Sequence, residues 1–293
     1  MDGAIIVDKP SGWTSHDVVG KLRRLARERS IGHLGTLDPL ATGVLPLIAG
    51  RATRLARFFT TNDKRYDAWI QFGITTNSYD RDGTVISETP RVSLEREQVE
   101  RELAHFRGTF MQMPPPVSAK KVNGVPAYKL ARKNLPVELK AVEVIVFSLE
   151  MLEFEERRAR LMIHCAGGTY VRSIVHDLGQ KLGCGAILDS LRRLSSGGFT
   201  IEQAYTIERL QELADAGNIA DALIPTAQLL PDLPSERMDL ITTTQIRQGR
   251  DFRVSPFRAR RDTRYVKAVD AAGDLIAIGE AKLPNLYHPI LVF

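Results

Sequence analysis

Gly32-His33-Leu34-Gly35-Thr36-Leu37-Asp38-Pro39-Leu40-Ala41-Thr42-Gly43 is the stretch around which the rest of the chain is organised. It sets three glycines, one histidine and one carboxylate into twelve residues, with no sustained helical or strand period. Asp38 precedes Pro39, and the residue before a proline is steered out of the α region toward an extended backbone. The glycines allow backbone geometry, or close approach by another group, that a side chain would block. These properties predict a shaped loop presenting an acid beside an imidazole, followed by a strand over Val44–Ala49. A tight turn in which Asp38 bonds its own backbone fits the same residues.

Composition narrows the class. The 293 residues suit one large domain plus a small one, or two of moderate size. An apolar content of 43% is ordinary for a globular core, and no apolar run approaches the length of a membrane span. The amino terminus has an early acid and no apolar signal core, so a cytoplasmic protein is expected. Cys165 and Cys184 are the two cysteines, too few for a disulfide framework, in keeping with a reducing compartment. A net charge of +5 permits a polyanionic partner without requiring one. His164, Cys165, His176 and Cys184 lack the paired spacing of a zinc site, and no phosphate-binding glycine loop ending in Lys-Ser or Lys-Thr occurs.

Outward from the loop, Ala4–Val7 reads as a buried strand ending in the turn-forming Asp8-Lys9-Pro10-Ser11-Gly12. Ser15 is placed to cap a helix with an apolar stripe of Val18, Val19, Leu22, Leu25 and Ala26. Arg51, Arg54 and Arg57 recur every three residues along one side of a helix, as a solvated ridge or as phosphate contacts. Tyr66, Ala68, Ile70 and Phe72 alternate with Asp67, Trp69 and Gln71 as a strand should. Ser93 opens a helix burying Val99, Leu103 and Phe106. Val142–Phe154 and Ala159–Cys165 form a strand pair. Thr169 caps a helix with a stripe of Val171, Ile174, Val175, Leu178 and Leu182, which Gly183 ends. Arg172 sits in its first turn, where a cation opposes the helix dipole unless an anion lies close. Asp38 is the candidate anion, and a surface arginine is the alternative. Near Pro234 a smaller unit begins, with seven arginines between Arg247 and Arg264. Its strand candidates are Tyr265–Val269, Leu275–Gly279 and Pro289–Phe293.

Residues 32–45 match G-H-x-G-x-L-D-P-x-A-T-G-x-L at every specified position. The run resembles the signature loop of the bacterial tRNA pseudouridine-55 synthases, the TruB-type branch of the pseudouridine synthases. Further matches are Lys9-Pro10-Ser11-Gly12-Trp13-Thr14-Ser15 to K-P-x-G-x-S/T-S, Lys64-Arg65-Tyr66 to K-R-Y, Gly168-Thr169-Tyr170-Val171-Arg172 to G-T-Y-I/V-R, and Leu191-Arg192-Arg193-Leu194 to L-R-R-L/T. There are two departures. Asn77 stands where the family has the first acid of T-D-x-x-D, and Val117 stands where an aromatic is usual.

The resemblance implies an α+β fold: a catalytic domain over residues 1–233 with a mixed, mostly antiparallel central sheet and an RNA-clamping insertion at about 110–140, then a small β-rich PUA-like RNA-binding domain over 234–293. It implies isomerisation of the T-loop uridine (position 55) of tRNA to pseudouridine, without cofactor or metal. By resemblance, Asp38 is the nucleophile or base at the ribose, with Tyr66 stacking on the base and Arg172 pairing the acid. Tyr170 and Leu191 line the base pocket, and His33 fills the space the uridine leaves. Lys9, Lys64, Arg65 and Lys120 are the expected RNA contacts. The expected partner is the tRNA T-arm, taken by a monomer without guide RNA and away from membranes. One rival is a non-catalytic RNA-binding or tRNA-folding protein on the same scaffold. Another is the guide-RNA-dependent relative of archaea and eukaryotes, which the short tail and the insertion argue against.

Overall fold

The computed structural model describes residues 1–59, 62–117, 139–257 and 263–293, and the backbone of a short hairpin at Lys121–Val122 and Val125–Pro126. The strands before that hairpin are β1 (Gly3–Lys9), β2 (Ile31–His33), β3 (Thr42–Ala49), β4 (Lys64–Phe72), β5 (Ile74–Thr76), β6 (Val85–Glu88) and β7 (Gly108–Gln112); the hairpin itself is β8 and β9. Then come β10 (Val142–Glu155), β11 (Arg158–Cys165), β12 (Ala186–Ser196), β13 (Phe199–Thr200) and β14 (Ile224–Pro225). One large sheet runs β14-β1-β3-β12-β4-β11-β10-β7, with β2 added on β3 and β13 on β12. Its described pairings are antiparallel except β3 against β12.

The apolar pattern explains the layering. On β1, Ile5 and Val7 enter one core while Ala4 and Ile6 enter another, so this strand is buried on both faces. The first core takes the apolar stripes of the helices Ser15–Ala26, Arg96–Ala104, Val171–Lys181 and Ile207–Asp215. The second core lies under the carboxy-terminal β-rich domain, whose Leu275, Ile278 and Leu291 pack with Ala4, Ile6, Val44 and Ile48. That domain has five strands, β15 (Ser235–Arg237), β16 (Phe252–Arg253), β17 (Tyr265–Val269), β18 (Leu275–Leu283) and β19 (Leu286–Val292), ordered β15-β17-β18-β19-β16. Two of them, β15 and β16, are too short to show an alternation in sequence.

Three expected helix starts move. Thr14, not Ser15, is the first helix's cap: its hydroxyl accepts from Asp17 N while the Asp17 carboxylate accepts from Thr14 N, a reciprocal capping box. The second helix begins at Arg96 rather than Ser93. The third is capped by the Tyr170 backbone without a side-chain bond, so Thr169 is not its cap. At its other end Gly183 takes φ +74°, as a terminating glycine does. The Gly50–Phe58 arginine helix is a 3-10 helix; Arg51 is tied to Asp2, Arg54 lies over the Phe293 ring, and Arg57 alone of the three reaches the cavity described below.

Gly43 lets the parallel pair close. It has φ +98°, and a Cβ there would meet the Arg193 carbonyl oxygen at 2.2 Å. Gly43→Ala is expected to destabilise the fold by about 3 kcal/mol, combining a left-handed backbone with a backbone clash. Urea unfolding against wild type checks the value.

Candidate active site

The loop between β2 and β3 is held from three sides. Its base is the short ladder His33↔Leu47, continued by Leu34 N–H donating to Pro46 O at 2.9 Å. From the first helix, the Ser15 hydroxyl donates to Leu37 O at 3.1 Å and accepts from Leu37 N at 2.9 Å, which pins the residue before Asp38. From the Lys9–Gly12 turn, Gly12 N–H and Lys9 Nζ both donate to Pro39 O, at 2.9 and 3.2 Å. Asp38 is thus fixed on both flanks. On the sheet side, Arg193 is fully buried and donates to Val44 O, Thr36 O and Gly35 O. Successive residues of a strand face opposite ways, so Arg192 points out to Asp8, at 2.8 Å, while Arg193 reaches into the loop.

Arg172 meets Asp38 across the mouth of this loop. Its Nε lies 2.9 Å from Asp38 Oδ2 and its Nη2 3.0 Å from Oδ1, a two-pronged pair. The same guanidinium donates to Ser78 O at 2.9 Å and Val117 O at 3.0 Å, and its Nη1 lies 3.3 Å from Asp80 Oδ2. Arg172 is 5% exposed, which overturns the surface alternative. The helix that carries it is anchored by buried Gln112, which donates to Tyr170 O at 3.0 Å and accepts from Tyr170 N at 2.8 Å. Burial pushes the Asp80 carboxyl up, against the Ser78 hydroxyl and Arg172, while the charge of Asp38 adds to the push.

A cavity of about 600 Å³ opens beside the pair. His33, Asp38, Lys64, Tyr66, Tyr170, Arg172 and Arg193 all line it, as do Arg57 and Phe59. Burial raises the Tyr66 phenol above its usual range, and Arg193 counters it in part. Burial and the nearby His16 hold the His33 imidazole below its ordinary value, and its Nδ1 has no hydrogen-bond partner among the described residues.

Of the expected site residues, Asp38, Tyr66, Arg172, His33, Tyr170 and Lys64 therefore converge on one cavity. Leu191 is buried in the core and does not line it. Arg65 alternates to the opposite sheet face and is exposed. Lys9 is corrected from RNA contact to loop support: it is 0% exposed, and its ammonium donates to the carbonyls of Pro10, Trp13 and Pro39. Lys120 lies outside the described residues. Asp80, Arg193, Gln112 and Ser15 are the site's unforeseen members. No group of metal-binding side chains occurs among the described residues. No helix among them is long and apolar enough to cross a membrane.

The Lys9 environment has a pH consequence. Burial lowers its ammonium from 10.5 to about 8, with Asp38 pulling the other way. Between those values the unfolded chain holds a proton that the folded chain has released, so this group makes stability rise with pH over that window. The stability difference between wild type and Lys9→Met is expected to grow in favour of wild type from about pH 8 to about pH 10. Urea midpoints measured across that range check the sign.

A carboxylate locked to a buried guanidinium beside a tyrosine-lined cavity, on a mixed sheet of this order, is the arrangement that the resemblance to pseudouridine synthases implies. Comparisons specify the branch. The chain matches the model of the TruB family pseudouridylate synthase N-terminal domain over residues 23–171 and that of the tRNA pseudouridylate synthase B C-terminal domain over residues 172–231. It is 58% identical over 292 residues to the tRNA pseudouridine synthase B of Solibacter usitatus, covering 100% of both chains. Against that of Geobacter sulfurreducens it is 42% identical, over 85% of this chain and 82% of the relative. Among solved structures, a Cbf5-Nop10-Gar1 complex aligns with TM-score 0.71 and 26% identity, over 97% of this chain and 79% of that chain. An H/ACA RNP bound to a substrate RNA containing 2'-deoxyuridine shares the fold, with TM-score 0.73 at 23% identity, over 99% of this chain and 84% of that chain. The chain belongs to the TruB family of pseudouridylate synthases.

Proposed function

We propose that this protein isomerises the T-loop uridine of tRNA, at position 55, to pseudouridine. The N1–C1′ bond breaks, the base turns, C5 bonds to C1′, and the C5 proton leaves to solvent while N1 gains one. The balance needs no oxidant, reductant or phosphate donor. The observation that carries the reading is the two-pronged Arg172–Asp38 pair at the mouth of a cavity that also holds Tyr66. Arg172 occupies the outer edge of both carboxylate oxygens, which leaves their remaining lone pairs to act at the ribose. Tyr66 stacks on the base from the cavity wall, and Tyr170 closes the opposite side. His33 stands at the rim to fill the gap in the RNA loop. Extruding the base costs roughly a few kcal/mol, which stacking and hydrogen bonds inside the cavity offset.

The same reading makes the substrate a bare T-arm, taken in the cytoplasm by a monomer with no guide RNA. The relatives bearing the tRNA pseudouridine synthase B name, matched along their whole or near-whole length, support it. A catalytic unit over 1–233 and an RNA-binding PUA-like unit over 234–293 are part of it, and the second sheet beginning at Ser235 supports that boundary. The family-model junction at 171/172 is a poorer divider, because β12 beyond it pairs with β3 and β4 inside the large sheet.

The test is tritium release from a T-arm hairpin labelled at uridine C5, with no other protein or RNA added. Release at a catalytic rate is the expected result. Binding without release would leave a non-catalytic RNA-binding protein.

A further inference from the structure

The sheet face turned away from Tyr66 carries a row of side chains that the uridine cavity does not use. Phe147 stands on β10 where the register against β11 shifts, between Val146 and Ser148, and is 53% exposed. Its ring centroid lies 4.8 Å from that of His164, tilted by 48°. Asp63 Oδ2 lies 2.6 Å from His164 Nε2, which fixes the plane of the imidazole. On the next strand Arg65 is the direct partner of His164. Facing residues of antiparallel neighbours share a sheet face, with Cβ atoms about 5 Å apart. The row is therefore Phe147, His164, Arg65.

Charge on this face singles out Arg65. Arg158, Arg160 and Arg192 are paired with Asp189, Asp67 and Asp8, whereas Arg65 is exposed and makes no ion pair among the described residues. The row shares a sheet face with the second core, and Leu34, Ala56 and Phe59 of that core line the cavity, whereas Lys64 and Tyr66 reach it from the other face. Phe147 and Arg65 are roughly two strand spacings apart, about 10 Å. An arginine side chain spans that gap down to the distance between a base and its own phosphate.

We propose that Phe147 and His164 form a stacking platform for a nucleobase of the RNA loop adjoining the extruded uridine, with Arg65 taking that nucleotide's phosphate. The proposal rests on the reading of the cavity as a uridine site. Extruding one base unstacks its neighbour, and a ring with a π-face is the surface that receives an unstacked base whatever its identity. An unpaired guanidinium beside it supplies the backbone contact.

The experiment uses the full chain and two T-arm hairpins, each with 2-aminopurine at one nucleotide flanking the target uridine. Wild type is expected to quench one of the two probes on binding. Phe147→Ala should weaken binding about 10-fold, abolish that quenching and raise KM far more than it lowers kcat. Phe147→Trp should restore affinity and quenching. Arg65→Gln should reduce the slope of log affinity against log salt by about 0.7, one phosphate on a single strand. Wild-type affinity and quenching in Phe147→Ala, or no rescue by tryptophan, would overturn the platform while tritium release by wild type kept the uridine reading intact. No release by wild type would remove the uridine reading, and the platform with it.

Discussion

Asp38→Asn is expected to lower tritium release from a C5-labelled T-arm hairpin by about 10⁴-fold or more, the scale on which removing one member of a catalytic unit acts. The substitution keeps the size of the side chain and one acceptor oxygen. What it removes is the charge and the second acceptor facing Arg172. The loop should stay in place, since Leu37 is held by Ser15 and Pro39 by Lys9 and Gly12, none of which touches the Asp38 carboxylate. The Asp38 side chain is 33% exposed and Arg172 keeps Asp80, so unfolding stability should change little. Hairpin affinity within about two-fold of wild type, with release abolished, assigns Asp38 to chemistry. An equal fall in affinity and in release would instead make Asp38 a binding residue and undo the catalytic assignment.

Legibility in the sequence followed the range of the interactions concerned. The strand Tyr66–Phe72 and the helix from Val171 could be read because their apolar periods are local, and the Asp38–Arg172 pairing could be named because a cation in a helix's first turn demands an anion. Thr14 was missed as a cap in favour of Ser15, although Thr14 with Asp17 three residues on is itself a capping-box signal. The Ser15 hydroxyl is spent on Leu37, a partner 22 residues away that no local pattern shows. Arg193 carried a readable clue: two adjacent arginines in an alternating strand cannot both face solvent if one face is buried. Lys9 was misread because a lysine in a turn is ordinarily exposed, and only the fold brings three carbonyls around its ammonium. Asp80 was marked only as the second acid of the T-D-x-x-D pattern, with no local sign that it is buried. Its turn-rich neighbourhood reads as surface, and its burial comes from the approach of Arg172 and Leu188 from other elements.

Arg172 carries the second large effect, and its two substitutions separate charge from geometry. In Arg172→Lys the charge remains, but one ammonium cannot grip both Asp38 oxygens while also meeting Ser78 O, Val117 O and Asp80. The carboxylate is then free to shift by an ångström or so, and kcat should fall about 10²-fold with hairpin affinity nearly kept. Arg172→Met removes the charge from between two carboxylates. Stripping a partner from a buried pair ordinarily destabilises by about 3–5 kcal/mol, and the lower end is expected here because Asp80 can take up a proton. Its carboxyl is already pushed up by burial, and losing Arg172 pushes it further. A folded-state carboxyl with a raised pKa binds protons that the unfolded chain has released, so its contribution to stability falls as pH rises. The deficit of Arg172→Met relative to wild type should therefore narrow on going from about pH 7 to about pH 5. Urea unfolding at the two pH values checks this, and a deficit that widens in acid would mean that Asp80 stays ionised and that Arg172 is not what keeps it so.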